Sequence, residues 1–156
     1  MLHTVLIGGH AIAGIVAFVA GCLAVRRTTA FPVYLASLTA MLAFVIGAVI
    51  VAWTGLGTAP RIVFAALIAL GAYMLLRAMQ ARAVLRGGGA SDSARYLDHV
   101  GFTLVALFDG FAIVAVLTAG GPGWLAVLTG VVGILVGHAV IVRLKAKAAA
   151  PEGALR

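Results

Sequence analysis

Long apolar runs separated by short polar breaks make up almost the whole chain. A helix that crosses a bilayer needs about 20 mainly apolar residues, and five runs reach that length. The first covers residues 3–25 and stops at Arg26-Arg27. The second covers 31–53 and ends in the breaker stretch Thr54-Gly55-Leu56-Gly57-Thr58-Ala59-Pro60. The third covers 62–82 and fades through Arg77, Gln80 and Arg82. Gly87-Gly88-Gly89-Ala90-Ser91-Asp92-Ser93 then reads as a loop by its glycine and serine content. The fourth run covers 99–119 and the fifth 124–143. Between them Gly120-Gly121-Pro122-Gly123 is a tight turn, because proline and clustered glycine break helices. The pattern predicts an all-α fold: one integral membrane helix bundle of five transmembrane helices over residues 1–143, followed by a flexible basic tail over 144–156.

Composition agrees. Of 156 residues, 64% are apolar and 10% charged, against about half and about a quarter in an ordinary soluble domain. A soluble fold of this size could not hide so much apolar surface, so the lipid bilayer is the expected surrounding. The net charge of +7 does not point to nucleic acid. The basic residues sit in short clusters between apolar runs instead of forming a basic stripe or patch.

Those clusters set the expected orientation. Cytoplasmic loops of membrane proteins carry the excess of Lys and Arg. Arg26 and Arg27, then Arg77, Arg82, Arg86 and Arg95, then Arg143, Lys145, Lys147 and Arg156 all fall on one side, and only Arg61 falls on the other. The N-terminus is therefore expected outside and the C-terminus in the cytoplasm. Val19-Ala20-Gly21-Cys22 resembles a lipoprotein cleavage box, but a signal peptide carries positive charge before its apolar stretch. Here only His3 precedes the run and Arg26-Arg27 follow it, so the first helix is expected to be retained. Cys22 is the single cysteine, which leaves no internal disulfide.

Lipid gives no hydrophobic drive for helices to associate, so stripes of small residues that allow close approach matter. Gly9, Ala13, Ala17 and Gly21 form one on the first helix, and Thr129, Gly133 and Gly137 one on the fifth. Ala36, Ala40, Ala43 and Gly47 mark the second helix, Ala106 and Gly110 the fourth. They suit packing within the bundle or against another subunit. Trp53 and Trp124 fall at outer helix ends, and Tyr34, Tyr73 and Tyr96 toward the cytoplasmic side, as interfacial aromatics do. Arg77 reads as an anchor that reaches the interface.

Four intramembrane polar residues are candidate sites. Asp109 lies ten residues into the fourth run, roughly 15 Å from its cytoplasmic end. A charge at the bilayer centre costs at least about 2.5–3.5 kcal/mol. The carboxyl must therefore face the bundle, find a donor or stay protonated, as a proton relay, an ion site or a structural hydrogen bond. His10 shares the face of Gly14, Ala17 and Gly21 and is a second candidate, a partner for Asp109. His99 and His138 lie on consecutive antiparallel helices toward the cytoplasmic side and could be axial ligands of a b-type haem, with His10 a further tentative ligand. No metal-spacing Cys/His cluster, nucleophile elbow, phosphate loop or dinucleotide fingerprint is present.

His10-Ala11-Ile12-Ala13-Gly14 and Ala17-Phe18-Val19-Ala20-Gly21 resemble the first helix of uncharacterised small bacterial multi-helix membrane proteins of the DUF2306 type. The resemblance covers about 20 residues and implies a small helical membrane fold without assigning an activity. The Ala-, Val-, Gly- and Arg-rich usage is similar to that of high-GC bacteria, which implies the bacterial cytoplasmic membrane. Three functions fit: a non-enzymatic accessory or scaffolding subunit that packs on another membrane subunit or on itself; a haem-binding electron-transfer bundle; and a small proton-coupled carrier that uses Asp109.

Overall fold

The computed structural model describes residues 1–87 and 92–149. Among the described residues there is no strand. Five α-helices follow in order: α1 (Leu2–Arg26), α2 (Phe31–Ala52), α3 (Thr58–Gly87), α4 (Asp92–Thr118) and α5 (Gly123–Ala149). Single 3-10 turns at Thr28–Ala30 and Trp53–Gly55 bracket α2. All five helices are long and apolar enough to cross a membrane.

Three helices run further than the apolar pattern suggests. α3 begins at Thr58 and continues to Gly87, α4 begins at Asp92, and α5 carries on through Lys145 to Ala149. The apolar run marks the part of a helix that lipid can surround, whereas Arg, Lys, Gln and Ala are good helix formers in water. Arg82, Arg86, Arg95 and Lys145 therefore extend the helices without ending them. Of the tail expected to be flexible, residues 144–149 are helical and 150–156 lie outside the described residues, as do most residues of the expected loop 87–93.

The chain divides into two compact units, Met1–Met79 and Gln80–Arg156. In the first, α1 and α2 form a close antiparallel pair. α1 offers small residues, with Gly14, Ala17, Ala20, Gly21 and Ala24 buried. α2 answers with large ones, burying Phe31, Tyr34, Leu38, Met41 and Leu42. Of the stripe expected on α2, Ala36 and Ala43 are exposed, Ala40 is half-buried and Gly47 faces Leu6 of α1. Within the same unit Leu42 reaches Gly71 of α3, its Cδ1 2.8 Å from where a Cβ would stand. Tyr34 and Tyr96 are buried, and Tyr73 is exposed.

The second unit repeats this division of labour in reverse order. α4 supplies Val105, Asp109 and Ile113, and α5 supplies Gly137, Gly133 and Gly130 opposite them. At one end of the pair, Gly101 faces Ile141 and Lys145 Nζ holds both oxygens of Asp98, at 2.8 and 3.0 Å. At the other end α4 closes in a left-handed residue, Gly120, at φ 78°. The Gly121 N–H donates to Val116 O at 2.9 Å and the Gly120 N–H to Leu117 O at 3.1 Å, the paired bonds of a Schellman cap. Pro122 follows and its carbonyl accepts from Leu125 in the first turn of α5. The expected Gly-Gly-Pro-Gly turn is thus a helix cap that feeds directly into the next helix.

Candidate functional site

Asp109 sits in the α4–α5 seam. Eleven residues, about 16 Å of helix, separate it from Asp98 at one end of the seam, and nine separate it from Thr118 at the end of α4. It is 7% exposed. Its Oδ1 is buried without a hydrogen-bond partner. Facing it on α5 is Gly133, and a Cβ placed there would run into the carboxyl. Gly130 and Gly137, which flank Gly133 on the stripe, meet only the hydrocarbon of Ile113 and Val105. Two threonine hydroxyls of these helices bond to their own backbones: Thr103 Oγ1 donates to Val100 O and Thr129 Oγ1 to Leu125 O, both at 2.8 Å. A carboxyl is therefore held among apolar neighbours, where a donor would ordinarily be found.

The stripe that makes this seat differs from the expected one in one residue. Gly130 takes the contact position, and Thr129 lies beside it, half-buried. Gly110, next to Asp109 in sequence, is exposed, and a Cβ on it would meet nothing within 4 Å. Room for the carboxyl comes from the facing helix and not from its own neighbour. Gly133 stood in the sequence-level stripe, but its pairing with Asp109 depends on antiparallel register.

His10 occupies the small-residue face of α1, as its spacing suggests. Its Nδ1 lies 3.0 Å from the carbonyl oxygen of Met41 on α2. A carbonyl has no proton to give, so Nδ1 carries the hydrogen and donates it. In the neutral ring Nε2 then bears the lone pair. His10 belongs to the unit Met1–Met79 and Asp109 to the unit Gln80–Arg156.

His99 and His138 are both in the second unit and are not brought to one level. His99 adjoins Asp98, which pairs with Lys145, whereas His138 adjoins Gly137, which meets Val105. Asp98 and Val105 are seven residues apart on α4, about 10 Å of helix rise. His99 is half-buried, and His138 is exposed on α5. Among the described residues no three His, Cys, Asp or Glu side chains gather as a metal-ligating group. His3 lines a cleft in the first unit with Ile7, Val49, Ala52 and Phe64, of about 500 Å³. Arg61 Nη2 donates to Trp53 O at 3.0 Å, and its guanidinium lies 5.1 Å from the Trp53 ring centroid.

No family model, curated protein or solved structure matches this chain.

Proposed function

We propose that this is a multi-pass protein of the bacterial cytoplasmic membrane, N-terminus outside and C-terminus cytoplasmic, that works as a small proton-coupled carrier with Asp109 as its proton-exchanging group. The carrying observation is the buried Asp109, whose Oδ1 has no hydrogen-bond donor, midway along an apolar helix hairpin. A structural carboxyl would be expected to hold a donor. An acid without one can take a proton from one side and release it to the other as its access changes.

The apolar outer faces support the membrane. On α5, Val127, Val131, Ile134 and Leu135 are all exposed, the reverse of a soluble helix and suited to lipid. The loop asymmetry of Lys and Arg supports the orientation. The seam favours a proton over a metal cation, since hard cations take about six or more oxygen ligands and Asp109 stands on the stripe without another acidic group. Five helices enclose little volume, so the carrier would work with a second copy.

The test is proton flux into proteoliposomes under a potassium-diffusion potential, read by an internal pH dye. Wild type is expected to admit protons, and Asp109→Asn to abolish the flux with helix content unchanged. If Asp109→Asn conducts as wild type does, the carrier reading fails. An accessory subunit, the other function considered, would show no flux in either protein and would co-purify with a defined membrane partner.

A further inference from the structure

No hydrogen bond holds the buried Oδ1 of Asp109 in place, and the hydroxyls of Thr103 and Thr129 are bonded within their own helices. Shape must hold it instead, and the shape is local. A Cβ built on Gly133 would overlap Asp109 Oδ1, and would stand 2.7 Å from its Cγ and 3.2 Å from Oδ2. Real Cβ atoms do not approach so closely, and the obstructing atoms are a short, stiff carboxyl with few rotamers. At Gly130 the same test meets the tip of Ile113, its Cδ1 at 3.2 Å, which a rotamer change can move.

Resting on the carrier reading, we infer that Gly133 is the positioning residue of the proton-exchanging carboxyl: its missing side chain is the recess that seats Asp109 in the α4–α5 seam. Of the three glycines on the stripe it is the one that faces a polar group. Any side chain at 133 must turn the carboxyl out of the seam or push α4 from α5. Either change alters the surroundings in which the acid gains and loses its proton.

The experiment pairs infrared spectroscopy with proton flux on the full chain in liposomes. The acid C=O band is assigned by its loss in Asp109→Asn. Gly133→Ala is expected to shift that band and to reduce flux to the Asp109→Asn background. Gly130→Ala keeps the wild-type band and flux. A Gly133→Ala protein with unchanged band and flux overturns the inference. Should Gly133→Ala fold poorly, the contact is tested by stability in the Asp109→Ala background. There the damage from Gly133→Ala is expected to disappear, and damage of equal size in both backgrounds overturns the inference. The carrier reading fails separately, if wild type shows neither an acid band assignable to Asp109 nor flux.

Discussion

His10 illustrates how much one side-chain hydrogen bond decides. Its bond to Met41 O ties α1 to α2, sets the tautomer and aims Nε2. Side-chain hydrogen bonds between membrane helices average about 0.6 kcal/mol and reach about 1.7. His10→Ala is therefore expected to lower stability by about 1 kcal/mol, measured by thermal unfolding in mild detergent; an unchanged midpoint would show that the bond carries no weight. His138 is exposed on α5, and His138→Ala should stay within about 0.5 kcal/mol of wild type. The spacing of small residues shows which face of α1 is buried, and His10 shares it. The carbonyl it reaches, 31 residues away, is invisible in that spacing because it depends on how α2 is registered against α1.

At the level of the element, glycine has three separable uses in the second unit, and each has its own expected cost. Gly120 supplies a left-handed backbone with open space around it. Gly120→Ala should therefore cost about 1 kcal/mol, from backbone strain alone. Gly121 is needed for closeness, since its Cβ would meet Val116 O at 2.8 Å. Gly110 is helical and open, so Gly110→Ala should be neutral or stabilise by up to about 1 kcal/mol through helix propensity. Chemical or thermal unfolding of the three single variants in one detergent orders them. If Gly110→Ala is as damaging as Gly121→Ala, the face assigned to Gly110 is wrong. The Asp98–Lys145 pair is more than a third exposed on each side and belongs to the weak class of surface ion pairs. Lys145→Ala should change stability by less than about 1 kcal/mol.

For the whole molecule, the basic residues carry a prediction about direction. In the proposed orientation, a fluorescent protein fused after α5 should fluoresce in the cytoplasm. A secreted phosphatase inserted at Gly123 should be active on the far side. The reverse pattern would invert the topology. Arg61 is the one basic residue on the side expected outside, and the structure accounts for it as a clasp. It caps the end of α2 through Trp53 O and lies over the Trp53 ring. A residue tied down in this way serves helix capping at the C-terminal end of a helix, where cations are favoured.

Number and type of elements were legible in the chain alone, because a 20-residue apolar run has few ways to satisfy its backbone other than a helix. The break at Gly120-Gly121-Pro122-Gly123 was legible for the same kind of local reason. Helix ends were less so: hydropathy reports where lipid can surround a helix, while Arg82, Arg95 and Lys145 prolong one in water. Asp109 stood out as a costly residue in an apolar run. Tertiary structure alone decided that it meets Gly133, that Gly130 and not Thr129 lines the seam, and that His99 and His138 lie on different levels. These depend on antiparallel register, and a shift of one residue turns a helix by about 100°, which would present a different side chain to the same glycine.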